Sequence, residues 1–495
     1  MTGSCYRAYP FGGLSVAFGT YIKPERGGGV DPEERLNQLR SRLVGVQQTN
    51  PNHRTKTARS AAESVRASAR AVGRRVALDI DSFWDLSKEA DPGPIDVIDI
   101  FSGCGGMSAG FRAVNGCLPA YRLAMAVDTD SVANGSYEAN LGLSPQQLDV
   151  SELAHDRELL ADALGESRRR EGHPLVLIGC APCQGFSSHR NGKKDDRNNL
   201  FTDFEHLAAQ LKPEVIVVEN VPELLTDRYW PYVEQVRDNL SRKGYQVYVG
   251  AHNMAQFGLP QQRFRALMLA MRGTFEPPRG FLPPDEFLTV KDAIGDLPPV
   301  EAGEQLTEFP LHYSSAHRES TLETIRAVPK DGGNRPPDVG PESLRRLAEK
   351  QGKLAYEDVY GRLHWNRPSI TITAHSRNPA SGRFVHPEQH RALTIREAAL
   401  LQGFPRSYRF EGSLGKCFRQ IGNAVPPVFG SYVAAHLLGE ILVSDGAESE
   451  HSAVEAADIG LVEPVGASFS RLIPSLKKSN GDEAVDLVSV LETRT

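Results

Sequence analysis

Short apolar runs recur along the chain, each bounded by turn residues and followed by a helical pattern. Asp96–Phe101 reads as a buried strand, then a glycine-rich turn and a helical pattern to about Val114. Leu123–Val127 reads as a second strand, followed by a helix through about Asn140. Leu175–Ile178, Val215–Val218, Gln246–Ala251 and Ala266–Met271 continue the series. Strands of this length alternating with helices predict an α/β fold: a doubly wound, Rossmann-like parallel sheet with helices on both faces.

The texture changes at identifiable points. Residues 1–90 lack a core-like pattern, and Arg54 to Arg75 holds seven basic residues and one acid, Glu63. This segment is expected to be a partly disordered extension, or an arm that contacts DNA or a partner, with 54–75 as one basic helix. Asp91-Pro92-Gly93-Pro94 punctuates the chain and opens a first sheet-bearing part, 91–272. Proline pairs break the pattern from 273 to 390, which predicts a smaller domain rich in loops and short strands. Helical sequence resumes over 391–443, so the sheet domain is expected to be discontinuous. An acidic tail, 444–495, is expected to be mobile.

Charge changes the picture once it is divided. The net charge is −6, but the residues from Asp445 onward hold ten acids and four bases and so carry all of it. The rest is balanced and can cluster its bases on one face. Six cysteines in 495 residues fit a reducing compartment better than a disulfide framework. No apolar run reaches the roughly 18 residues of a membrane helix, and no leader pattern opens the chain; a cytoplasmic protein without membrane contact is expected.

Candidate chemistry sits where strands end. Phe101-Ser102-Gly103-Cys104-Gly105-Gly106 joins the first strand to its helix, where backbone N–H groups can meet a ligand. A dinucleotide fingerprint fits poorly, because Ser108 stands where its third glycine belongs. Asp128 ends the second strand and can accept ribose hydroxyls; Asp149 can accept an adenine amino group. Each alone is equally a helix cap or turn residue. Cys180-x-x-Cys183 follows the third strand. No second pair answers it, so metal is not expected. Cys183 lies in a Pro/Gly-shaped turn suited to an exposed nucleophile.

Pro182-Cys183-Gln184 resembles the signature of the cytosine-C5 DNA methyltransferase family. Further motifs follow in that family's order: Asp99–Gly106, Glu219-Asn220-Val221, Gln261-x-Arg263-x-Arg265, Arg391 to Pro405, and Gln420 to Pro426. The resemblance spans about Asp96 to Leu438. It implies a class I methyltransferase sheet, with 273–390 as the target-recognition domain.

What the resemblance implies is specific. S-adenosyl-L-methionine is the expected cofactor, held by Phe101, Ser102, Gly103, Cys104, Gly105, Gly106, Asp128, Asp149, Pro182, Leu200, Asn423 and Val425. Cys183 is expected to attack C6 of an extruded cytosine, Glu219 to act near N3 and Arg265 near O2, while Arg263 and Gln261 orient them. Gln184, Ser187 and His189–Asn199 are candidates for a closing loop, with Lys193, Lys194 and Arg197 meeting phosphates. Arg362, His364, Trp365, Asn366, Arg367, His375, Arg377 and Asn378 offer donors for DNA. The expected partner is double-stranded DNA, and a restriction endonuclease cutting the same site is compatible with it. The chain is expected to act as a monomer. An RNA cytosine methyltransferase and a catalytically idle DNA-binding regulator are the rival readings.

Overall fold

The computed structural model describes residues 31–48, 61–84, 93–181, 199–226 and 229–444. Pro182, Cys183 and the expected closing loop through Asn198, the start of the basic segment and the acidic tail from 445 lie outside these.

Six strands form one sheet: β1 (Ile95–Ile100), β2 (Tyr121–Val127), β3 (Leu175–Gly179), β4 (Val215–Asn220), β5 (Tyr245–Asn253) and β6 (Phe264–Arg272). Their order is β2-β1-β3-β4-β6-β5. β1 to β4 pair in parallel, whereas β6 runs antiparallel to both β4 and β5. The sheet is therefore mixed rather than wholly parallel. The segment 254–263 that joins β5 to β6 holds one short 3-10 turn. Without a crossover helix, the chain turns back instead of re-entering in parallel.

Two helices precede the sheet, α1 (Pro32–Gln48) and α2 (Ala61–Leu78). The helices that shape the site are α3 (Gly106–Asn115), α4 (Ser131–Leu141), α5 (Val150–His155), α6 (Asn199–Leu211), α7 (Trp230–Arg242), α8 (Ile395–Leu401), α9 (Leu414–Asn423) and α10 (Pro427–Ser444). Every residue of β1, β3 and β4 is buried. That requires helices on both faces, and it is why these strands are predominantly apolar, with Asp96 and Asp99 of β1 and Glu219 and Asn220 of β4 buried among them. Val97, Val176 and Val217 meet α3 and α10 on one face, while Ile98, Leu177 and Ile216 meet α5, α6 and α7 on the other.

The last helix returns to the sheet across the insert. α10 is mostly apolar, and Pro427 to Leu442 are all buried, as expected of a helix enclosed by other elements. Its crossing with α3 depends on small residues: a Cβ on Gly110 would lie 2.3 Å from the Ser431 nitrogen. α2 lies against its other side, where a Cβ on Gly439 would come within 2.7 Å of the Ala69 methyl. The buried Glu440 carboxylate is met by Arg66 at 3.0 Å, and Arg40 of α1 donates to the Leu442 carbonyl. Residues 61–84, expected within an extension apart from the fold, are a packed layer of it. Val65, Ala69, Val72 and Val76 carry the reason: they form an apolar stripe that joins the main core.

The segment 273–390 is built mostly of loops, and its β pairing consists of isolated bridges such as Arg362↔Val385. It is not cleanly separate. Val290, Ile294, Leu363 and Ile372 belong to the main core, while Ile325, Val328, Tyr360 and Val385 form a small cluster of their own.

Candidate active site

Loops after β1, β2, β3 and β4 leave the same edge of the sheet. Strand order reverses between β1 and β3, where open α/β sheets place their ligands. The turn after β1 uses left-handed backbone at Phe101, Gly103 and Gly105, with φ of 60°, 50° and 85°. An added Cβ on Gly103 would meet nothing within 4 Å, so the space above it is open. One on Gly106 would lie 2.2 Å from the Val425 carbonyl oxygen, so the 423–425 segment is in direct contact with the loop. The buried Ser102 hydroxyl has no hydrogen-bond partner among the described residues.

Asp128 holds this turn from beside it. One carboxylate oxygen accepts from the Gly103 N–H at 2.8 Å and the other from the Asp130 N–H at 2.8 Å. The carboxylate keeps acceptor capacity beyond these bonds for a ligand hydroxyl. Burial raises the Asp128 pKa, against which these backbone bonds work. Asp149 is both a helix cap and a free acceptor. It is exposed, and one oxygen accepts from the Ser151 N–H at 2.8 Å. The Ser151 hydroxyl in turn donates at 2.6 Å to the buried Asp203 of α6, which His155 also meets at 3.0 Å. This ties Asp149 to the helix that carries Leu200. Beneath the turn, the fully enclosed Asp99 accepts from Ser108 at 2.6 Å, and burial pushes its carboxyl up to about 7.

The second half of the crevice is ionic. Glu219, near the end of β4, is 7% exposed. Arg265 on β6 lies 3.2 Å from it. Register explains the pairing: Asn220 sits opposite Ala266, which places Arg265 just beyond the β4 end. Burial raises the Glu219 pKa, with Arg265 and Arg263 pulling the other way. Asn220 donates through its side-chain amide to the Ala181 carbonyl at 3.3 Å. The chain entering Pro182-Cys183 is therefore anchored beside Glu219. Burial, with the Glu219 charge second, holds the Cys180 thiol well above its usual range and hence protonated.

Arg263 and Gln261 lie behind this pair and bind the architecture. Arg263 donates to the Ile372, Gly422 and Ala424 carbonyls at 3.1–3.2 Å. Gln261 donates to the Leu401 carbonyl and to Gln402, and accepts from the Ile372 N–H. They join β6, the end of the insert, α8 and the 422–424 turn. The Arg391–Thr394–Glu397 spacing is likewise structural. Arg391 grips Glu397 through two bonds of 2.7 and 2.8 Å, and Thr394 and Glu397 form a capping box on α8.

Sequence reasoning gave no role to Asn220, Asp203 or Tyr408. Asn220 lies inside the Glu219-Asn220-Val221 motif; the other two carry no local signal, because their partners are distant in the chain. Arg362, offered as a DNA donor, is fully buried and donates to the Ile325, Val328, His386 and Gln389 carbonyls. Surrounding carbonyls, rather than phosphate, satisfy its guanidinium. Asn366, Arg367, His375, Arg377 and Asn378 remain exposed.

A glycine-rich turn, two aspartates beside it and a paired carboxylate–guanidinium lie on one edge of a Rossmann-like sheet. A solved chain described as a DNA modification methyltransferase from an E. coli prophage shares this fold. Its TM-score is 0.52 at 24% identity, over 69% of this chain and 98% of that one. The family model for C-5 cytosine-specific DNA methylases matches residues 95–439. The chain belongs to that family and is a DNA (cytosine-5)-methyltransferase. The type II methylase M.HgiDII of Herpetosiphon aurantiacus is 34% identical over 347 residues, 68% of this chain and 93% of that protein. The type II methyltransferase M1.HphI of Haemophilus parahaemolyticus is 34% identical over 352 residues, 69% of this chain and 86% of that protein.

Proposed function

We propose that the chain methylates C5 of a cytosine extruded from a specific duplex DNA sequence, with Cys183 as the nucleophile. The observation that carries this is the anchoring of Ala181 by Asn220, beside the Glu219–Arg265 pair. Cys183 follows two residues later. Cytosine C5 is a weak nucleophile until a thiolate adds to C6. The adduct forms more readily when N3 gains a proton and O2 meets positive charge. Glu219, whose carboxyl burial raises while Arg265 and Arg263 oppose it, serves N3, and Arg265 serves O2. Gln261 and Arg263 are positioning residues that hold β6 against the 422–424 turn.

S-adenosylmethionine fits the facing wall: an open space above Gly103, a Ser102 hydroxyl without a partner among the described residues, and two available carboxylates. When bound, it supplies the electrophilic methyl group. Phe101 and the loop Ser102–Gly106 line the adenosyl side, Asp128 accepts from ribose and Asp149 from the adenine amine. Leu200, Asn423 and Val425 complete the wall, and the family motif adds Pro182 to this set. The segment 273–390 reads the target, and the relatives' type II names support a role in restriction–modification, with methylated duplex DNA as product.

Duplex DNA carrying 5-fluorocytosine at the target tests the mechanism. Fluorine replaces the C5 hydrogen that must leave, so the wild-type chain should form an adduct stable to denaturant. Cys183→Ala should bind DNA but form no adduct and transfer no methyl groups. Wild-type turnover in that variant would rule out the mechanism. Bisulfite sequencing of DNA from expressing cells gives the target.

A further inference from the structure

The turn that leads from α2 toward β1 lies outside the family segment 95–439, yet it reaches the cofactor wall. Trp84 is 7% exposed and packs against Tyr408, their ring centres 5.5 Å apart. Tyr408 is fully buried, and its hydroxyl donates to the Cys104 carbonyl in the glycine-rich loop. The Arg112 guanidinium of α3 lies 5.7 Å from the Trp84 ring centre. Two contacts fix the approach of this turn. Asp81 accepts from the Arg406 N–H at 2.7 Å. The Phe83 carbonyl passes so close to Gly116, at the end of α3, that a Cβ there would lie 2.3 Å from its oxygen.

We propose that Trp84 is a positioning residue for the S-adenosylmethionine site: it seats Tyr408, and Tyr408 fixes the Cys104 carbonyl and the loop around it. This rests on reading that loop as the cofactor wall. Gly103 and Gly105 adopt left-handed backbone that costs glycine much conformational freedom to hold. A loop ordered beforehand spares the ligand that cost. The family segment supplies the loop and Tyr408, and the N-terminal turn supplies the ring that backs Tyr408. The Trp84 indole N–H has no acceptor among the described residues. Its contribution is therefore shape and apolar area, which phenylalanine can largely reproduce.

The test uses the full chain, S-adenosylhomocysteine as the binding probe, and steady-state methylation. Trp84→Ala should weaken S-adenosylhomocysteine binding and raise the KM for S-adenosylmethionine together, by about 3- to 20-fold, the scale of coupling carried by packed side chains. Its kcat at saturating cofactor and its KM for duplex DNA should stay near wild type. Trp84→Phe should restore cofactor affinity. Tyr408→Phe should reproduce the loss, and the double variant should lose no more than the larger single loss. A Trp84→Ala chain that melts earlier but binds S-adenosylhomocysteine as wild type does would overturn the proposal. Should that variant not fold, unchanged affinity in Tyr408→Phe would overturn it equally. Failure of the wild-type chain to bind S-adenosylhomocysteine would instead remove the reading of the loop.

Discussion

A carboxyl group held at a sheet edge between an apolar wall and a guanidinium has two opposed influences on its proton. For Glu219 burial is the larger and raises the pKa; Arg265 and then Arg263 lower it. A raised value keeps part of the population protonated at higher pH than an ordinary glutamate, which suits donation toward a ring nitrogen. Glu219→Gln keeps the shape and removes the titration. It should lower kcat by about 100-fold or more, within the range of general acid–base catalysis. Wild-type kcat/KM should also fall on the alkaline side as Glu219 loses its proton, and this limb should be absent from the variant. A pH–rate series on both proteins checks the assignment; an unchanged limb in Glu219→Gln would place the titrating group elsewhere.

At the scale of elements, the site depends on helices that cross at glycine. α3 carries the loop at its N-terminus and packs on α10 through Gly110 and Gly430. A methyl group at Gly110 would sit 2.3 Å from the Ser431 backbone nitrogen, an approach that real Cβ atoms do not make. The helices must then separate. Gly110→Ala should destabilise the fold by about 1–3 kcal/mol, as overpacking commonly does. Urea unfolding should show the midpoint shift, and a cofactor titration should show weakened binding, because α3 and Val425 move apart. An Ala at the exposed Gly165, where an added Cβ meets nothing within 4 Å, serves as the neutral comparison.

Over the whole molecule, several buried groups link stability to pH. Burial lowers His252, His386 and His436 to about 4, so each is neutral in the folded state. Their folded values lie below the ordinary 6.5, so their contribution is complete above 6.5 and is lost as pH falls through about 4. Glu397 acts lower: burial raises it, but Arg391, His386 and the Thr394 N–H together outweigh burial and hold it at about 2, so its contribution is present above its ordinary 4.5 and lost as pH falls through about 2. Asp99, raised to about 7, has the opposite sign and loses stability as pH rises through 7. Smaller shifts of both signs oppose one another. Between pH 6.5 and 4 the three histidines outnumber Asp99. Unfolding free energy should fall on acidification, by about 1–3 kcal/mol per pH unit at its steepest. Denaturant titrations across that range check this; stability that is flat or rises on acidification would contradict it. Apolar runs marked the strands, because a strand buried on both faces needs apolar side chains at most positions and takes a carboxyl only where a partner meets it, as at Asp96 and Asp99, and short motifs marked the loop, the carboxylate and the arginines. Backbone glycine and a charged side chain at a strand end have local signatures. Contacts between distant partners had to wait for the fold. The chain turned back at β6 because no helix intervenes. Arg362 went inward because carbonyls surround it. Residues 61–84 joined the core because α10 presents a face that the family segment leaves for them to cover. Trp84 met the glycine loop through Tyr408, a contact between residues hundreds of positions apart. Local sequence carries no record of such a meeting, since it exists only once the sheet has brought the elements together.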